Sequence, residues 1–402
     1  MEDLLFLTPR IPYPPNKGDK LRSWNIIKHL KQRYNVHLGC FVDNEDDWKH
    51  VPFIQSQCTS SHFARLDGPR KLFRAGKAIL TGKPISTAYF EDKALIEWVH
   101  QTITATNPDV AFFFSSEMAD FVPLANEAGT QTIMDFVDMD SAKWQEYGEV
   151  RSWPQSWVYR REGKLVHELE LRSVEEADHA VFVSAEEAQL FNATLAPGVQ
   201  PAGALPNGVD CDYFSPSQHH ETPFQPNDRP IVFTGVMNYW PNIDSVCWFA
   251  DEVLPTIRDA VPEACFYIVG MNPAPTVEEL GKRSGIVVTG SVADVRPYVA
   301  NSAFAVAPLR VARGVQNKVI EAMAMGKPVL ATPQAAEGLG DMRPEELAVL
   351  SDAQGFARHA IALLKGDVNL PDGRAARAKV ETDFSWEGQL SRLDAILAGE
   401  GN

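Results

Sequence analysis

The residues best suited to chemistry fall in one short stretch, Gly314-Val315-Gln316-Asn317-Lys318-Val319-Ile320-Glu321. It follows an apolar run (303–308) and precedes Gly326 and a second apolar run (328–331). This spacing predicts a strand, a loop, a helix opened by Gly314, and a return to strand. A helix N-terminus presents unpaired N–H groups and the positive end of its dipole, so it suits an anion. Lys318 in the first turn adds a point charge. Glu321, three residues on, lies on the same side and can accept hydrogen bonds from hydroxyl groups. One helix thus offers contacts to a diphosphate and to a ribose, as a nucleotide-sugar site requires. Arg310 and Arg313 in the preceding loop, with amides near Gly314 and Val315, complete an expected clamp for charge developing on a leaving phosphate. The same arginines also read as solvated loop residues of an acidic chain.

Such a helix needs a scaffold, and the chain supplies two similar ones. Apolar runs at 3–7, 36–42, 110–114, 131–136 and 180–183 alternate with helical segments. A first helix is expected over 20–32, with Leu21, Trp24, Ile27 and Leu30 as its apolar stripe, and Lys17 and Lys20 as surface charges. The pattern restarts with runs at 230–235, 265–270, 286–290, 303–308 and 328–331. Alternating short apolar runs and helices specify parallel sheets covered on both faces. The turn Pro206-Asn207-Gly208-Val209-Asp210, followed by a polar, proline-dotted segment, marks a junction. The expected organisation is α/β: an acceptor-binding domain over 1–205, a donor-binding domain over 206–385, and a C-terminal helix over 386–402, able to pack on the first. Ligands of such sheets sit beyond the carboxyl ends of the strands, so Gly18, Gly235 and Gly314 are expected to converge on a shared cleft.

Composition narrows the function further. The 402 residues carry a net charge of −16, spread over both halves: residues 1–205 hold 21 basic and 28 acidic side chains. That balance argues against general nucleic-acid binding and makes any anion site local. The five cysteines (Cys40, Cys58, Cys211, Cys247, Cys265) show no metal spacing and read as reduced thiols. No apolar run is long enough to span a bilayer and no leader is apparent, so a cytoplasmic protein is expected. Residues 69–80 are locally basic. On a helix they place Arg70, Arg74 and Lys77 opposite Leu72, Phe73, Ile79 and Leu80, which suits either an anionic membrane surface or simple packing on the first domain.

Pro12-Tyr-Pro-Pro15 with Gly18, Pro206-Asn-Gly-Val-Asp210, Phe233-Thr-Gly235 with Pro241-Asn242, Phe266-Tyr-Ile-Val-Gly270 and the block 318–332 are spread along nearly the whole chain. Together they resemble family 4 of the retaining glycosyltransferases, which have the GT-B fold of two facing Rossmann-like domains. Asp135-Phe-Val-Asp138-Met-Asp-Ser141-Ala-Lys-Trp144 and the run 310–321 are similar to a subgroup found with bacterial exopolysaccharide and exosortase systems. The resemblance implies transfer of a sugar from a nucleoside diphosphate to an exopolysaccharide acceptor, carried on a lipid. The donor is a substrate, and neither cofactor nor metal is expected. It implies that Glu321 is the ribose ligand; the acid the family often has eight positions earlier is here Arg313. The same architecture leaves open a sugar-nucleotide epimerase or a binding protein without catalysis. Asp138-Met139-Asp140 also matches the metal signature of the GT-A fold, but the duplicated layout disagrees with that fold. Asp138, just past a strand, is expected to orient or deprotonate the acceptor hydroxyl, or else to cap a helix. Gly18 and Asp19 are expected on the donor and acceptor side, with Asp19 also suited to a helix first turn.

Overall fold

In the computed structural model, residues 1–399 are described apart from 16, 67–73, 75, 77, 151, 313 and 367–370. Arg313 and most of the basic segment 69–80 therefore lie outside the described residues. The chain forms two compact units, Met1–Asn207 together with Leu390–Asn402, and Gly208–Gln389.

The first unit is built on seven parallel strands: β1 (Glu2–Thr8), β2 (Tyr34–Val42), β3 (Ser60–Arg65), β4 (Val110–Phe114), β5 (Gln131–Val137), β6 (His179–Phe182) and β7 (Gly203–Ala204). Their order is β3-β2-β1-β4-β5-β6-β7. The second unit has six: β8 (Arg229–Thr234), β9 (Ala264–Val269), β10 (Ile286–Gly290), β11 (Phe304–Ala307), β12 (Val329–Ala331) and β13 (Ala348–Val349), in the order β10-β9-β8-β11-β12-β13. All neighbours pair in parallel, as crossover helices require. In each sheet the order reverses beside its first strand, the position at which such folds bind ligands.

Strand alternation shows why both sheet faces are covered. Ile231 and Phe233 of β8, with Phe266 and Ile268 of β9, enter one apolar cluster. Val232, Cys265, Tyr267 and Val269 enter another on the opposite face. A period of two with apolar residues on both sides leaves neither face able to meet water.

The first helix runs over Gly18–Leu30, and two details differ from expectation. Leu21 is exposed, whereas Lys20 is only 2% exposed and forms a 2.6 Å ion pair with Asp47. Lys20 is thus not a surface charge: Asp47, just beyond β2, supplies the counter-ion that lets a lysine enter the core. Asp394 of the helix Trp386–Leu397 meets His29 at 2.8 Å and Arg33 at 3.0 Å, which ties the C-terminal helix to this first helix. Among the described residues, no helix is long and apolar enough to cross a membrane.

Candidate active site

The strongest site lies wholly within the second unit. β8 ends at Thr234, and the Gly235 N–H donates to the Val269 carbonyl at 3.0 Å. Gly270 follows β9 so closely that a Cβ there would lie 1.6 Å from the Gly235 oxygen, and its φ is +155°. A Cβ on Gly235 would in turn press on the Asn242 amide at 2.8 Å. Gly270 must therefore be glycine for the two backbones to pass this near, and Gly235 leaves room for the Asn242 side chain. Above them lies a cavity of ≈ 500 Å³. Its lining includes Gly235, Gly270, Ser291, Val315, Lys318 and Glu321.

Lys318 is the second residue of the helix Asn317–Ala324. The helix begins three residues later than expected. Gly314 lies in the preceding loop at φ +62°, and Gln316 is the N-cap without a side-chain capping bond. The Gln316 side chain therefore does not cap the first turn at the cavity edge, and the anion-binding logic of a helix N-terminus applies at Asn317. Lys318 Nζ donates to Asn242 Oδ1 at 2.9 Å and sits 5.0 Å from the centroid of the Phe233 ring. Asn242 is buried and donates its amide to the Val236 carbonyl at 2.9 Å, which fixes the oxygen toward the lysine. The neighbouring Pro241 lies in the first turn of the helix Trp240–Trp248, and this Pro-Asn pair is how the sequence places an amide here.

Burial shapes the charges of this site. It pushes the Lys318 ammonium down to about 8, opposed by Glu321. It pushes the Glu321 carboxyl up to about 7, opposed by Lys318. Each charged form is short of solvation, and a ligand bringing phosphates to the lysine and hydroxyls to the carboxylate would offset that cost.

Gly338 acts on the site from behind. A Cβ on it would meet the Gly314 carbonyl carbon at 2.2 Å and the Val315 nitrogen at 2.4 Å. Those are backbone atoms that cannot swing aside. Gly338→Ala is expected to displace the 314–315 loop and weaken nucleotide-sugar binding at least tenfold, with the helical content retained. Titration calorimetry paired with circular dichroism checks this, and unchanged affinity would show the loop to be uninvolved.

The other expected site residues are distributed as follows. Arg310 does not line the cavity; its guanidinium is half-exposed and makes a two-pronged ion pair with Asp244, with Nε–Oδ2 at 2.9 Å. In the first unit, Gly18 opens the helix Gly18–Leu30, and Asp19 accepts from Arg10 at 2.6 Å. Asp138 accepts from Lys143 Nζ at 2.6 Å. It follows Val137, a β-branched residue at φ +69°, a costly conformation that Asp135 supports by accepting the Val137 N–H at 3.1 Å. Asp140 was not singled out as a proton-holding group, yet burial and then Glu117 push its carboxyl up to about 7. Only the fold brings Glu117 near it, so no local signal existed. Arg74 of the basic segment is turned inward, donating to the Tyr89 carbonyl at 2.6 Å and lying 3.6 Å from Asp92.

Comparisons with known proteins bear on the fold and on the second unit. No curated protein sequence matches the chain significantly. Similar solved structures include HepE from Anabaena in complex with UDP and glucose, at 14% identity and TM-score 0.59, covering 99% of this chain and 100% of that one. Sucrose-phosphate synthase from Thermosynechococcus elongatus gives 15% identity and TM-score 0.60, with 99% of each chain covered. A glycosyltransferase from Rickettsia africae gives 15% identity and TM-score 0.62, covering 99% of this chain and 98% of that one. At such identities the likeness is one of fold, and it extends over both sheets. Residues 228–366, which carry the cavity and its lysine, match the family model of glycosyl transferases group 1. The chain thus has the GT-B architecture of two Rossmann-like domains, and the match to glycosyl transferases group 1 falls in the second of them.

Proposed function

We propose that this protein is a retaining glycosyltransferase that moves a sugar from a nucleoside diphosphate to a hydroxyl of a lipid-linked exopolysaccharide acceptor, without a divalent cation. The observation that carries the reading is the joint placement of Lys318, Asn242 and Glu321 around a cavity at the carboxyl ends of β8 and β9. In this reading the diphosphate lies over the first turn of the helix Asn317–Ala324, and Glu321 accepts from the ribose hydroxyls. HepE has been solved with UDP and with UDP-glucose, which supports a uridine nucleotide as the first donor to try.

As the bond between the sugar and the diphosphate breaks, negative charge grows on the leaving phosphate. Lys318 and the amides near Gly314 and Val315 neutralise it in place, the lever that preorganised donors supply. Arg310 joins this clamp only by releasing Asp244, so the reading gives it a secondary role. Asp138 is assigned to the acceptor hydroxyl, with Lys143 paired to it at 2.6 Å.

The test is turnover by the purified chain on UDP-, GDP- and ADP-sugars with EDTA present and saccharide acceptors supplied. Acceptor-dependent release of nucleoside diphosphate is expected. Strict dependence on added Mn²⁺, or conversion of the donor to an isomer without any acceptor, would overturn the reading.

A lipid-linked acceptor calls for a membrane-facing surface, and exposed apolar side chains support one in the first unit. Leu80, Trp153 and Trp157 are 89%, 80% and 54% exposed. Arg161, one turn beyond Trp157, donates to the Ala78 and Lys83 carbonyls at 3.0 Å, which holds the two segments together. Tryptophans favour the bilayer interface. The double substitution Trp153→Ala and Trp157→Ala is expected to abolish co-flotation with phosphatidylglycerol vesicles. Equal flotation of the variant would remove this surface from the proposal.

A further inference from the structure

The first unit contains a second cavity, of ≈ 400 Å³, whose lining has a distinct chemistry. Arg10, Asp43 and Glu117 stand just past the ends of β1, β2 and β4, three adjacent strands at the point where the sheet order reverses. Facing them are the rings of Trp144 and Tyr159, 5.5 Å apart between centroids, and Tyr89. Three carboxylates, counting the buried Glu162, thus stand against one guanidinium among the described lining residues.

The partners of these groups decide what the cavity can receive. Arg10 is already committed, to Asp19 at 2.6 Å and Asp43 at 3.2 Å. Glu162 is occupied by the N–H groups of Ile85 and Ser86, at 2.9 and 2.7 Å, and by the Ser86 hydroxyl at 2.8 Å. Asp43 is different: its Oδ1 is buried and has no hydrogen-bond partner among the described residues. A buried acceptor without a donor is costly and waits for one. Glu117 accepts from Ser115 at 2.5 Å and has a second oxygen.

We propose that this cavity binds an uncharged pyranosyl ring and discriminates against uronates and phosphorylated sugars. A pyranose has an apolar C–H face for the Trp144 and Tyr159 rings and a rim of hydroxyl donors for Asp43 and Glu117. An anionic sugar would add like charge beside carboxylates in a poorly solvated pocket, which is an exclusion device as well as a preference. Assigning the ring to the acceptor rests on the transferase reading above, whereas the preference for a neutral ring rests on the cavity alone.

The experiment uses the full chain without nucleotide. Saturation-transfer NMR is recorded with the methyl glycosides of glucose, galactose and mannose, and with methyl glucuronide and glucose 6-phosphate. At least one neutral glycoside is expected to bind ten or more times tighter than either anionic sugar. Trp144→Ala is expected to remove that binding, and Asp43→Asn to narrow the neutral-to-anionic gap, with UDP affinity unchanged in both variants. Glucuronide binding as tight as glucoside binding overturns the proposal, as does the lack of any Trp144-dependent glycoside binding. UDP binding without a glycoside effect removes only this cavity. Glycoside binding with no nucleotide sugar bound keeps the cavity as a saccharide site and removes the transferase reading.

Discussion

Substituting methionine for Lys318 should lower nucleotide-sugar affinity by at least about 100-fold, while the unfolding temperature stays unchanged or rises. The affinity loss corresponds to about 2.7 kcal/mol, within the range for a charge-assisted bond to phosphate. The stability statement follows from the sign of the shift. Burial holds the Lys318 ammonium at about 8, below its unfolded value, so the folded state binds that proton less tightly. At neutral pH the charged lysine therefore costs stability, and the cost fades as pH rises from about 8 through the ordinary lysine range. Glu321 has the opposite charge and the same burden: its carboxyl is raised to about 7, so its ionisation costs stability as pH climbs from the ordinary glutamate value to about 7. A site that is destabilised when empty and relieved by an anionic, hydroxyl-bearing ligand has a functional cause for that cost. In the proposed donor site, binding needs the lysine charged and the glutamate ionised, so affinity should peak between about 7 and 8 and fall on either side. Calorimetric titrations of UDP across pH check both points. An affinity that keeps rising in acid would show that Glu321 does not receive the ribose, and a strongly destabilised Lys318→Met would show the lysine to be structural.

The parts of this site readable in the sequence are those whose signals are local. Strand limits agree to about one or two residues where apolar runs are long, because burial on both faces leaves little freedom of residue type. The strands that escaped are β3, with the polar sequence Ser60-Ser-His-Phe-Ala-Arg65, and the two-residue strands β7 and β13. All three lie at sheet edges, where one flank is free and the apolar signal is weak. Lys318 and Glu321 were legible because residues three apart on one helix share a side. Asn242, Gly270 and Gly338 were not given roles, since each acts through a neighbour far away in the chain: a lysine 76 positions on, the Gly235 oxygen, and the 314–315 backbone. The same holds for Lys20, whose burial depends on Asp47, and for Arg310, whose guanidinium Asp244 claims. Side-chain pairing across elements is what the one-dimensional pattern lacks.

Arg22→Met is expected to destabilise the first unit by about 3–5 kcal/mol, the cost of leaving a buried charge without its partner. Arg22 and Asp135 are 1% and 0% exposed, and they pair in two-pronged fashion, Nε–Oδ2 at 2.8 Å and Nη2–Oδ1 at 3.0 Å. A third donor, Arg22 Nη1, holds Asn207 Oδ1 at 2.9 Å, so the guanidinium joins the first helix, β5 and the last residue of the first segment. The double variant Arg22→Met with Asp135→Leu should regain much of the loss, since neither charge then remains buried. Urea denaturation of the three proteins gives the coupling energy, and a single variant as stable as the parent would mean that Asp135 finds solvent or a proton instead. In the proposed reading, function is linked through the turn after β5. Asp135 Oδ1 also accepts the Val137 N–H that supports the left-handed backbone ahead of Asp138. The conservative Arg22→Lys keeps the charge but cannot reproduce the fork, so it should fold while leaving this turn loose. Its acceptor kcat/KM should fall more than its UDP affinity, a split that general destabilisation would not produce. Equal losses in both would place the pair in the scaffold alone, with Asp138 positioned by other means.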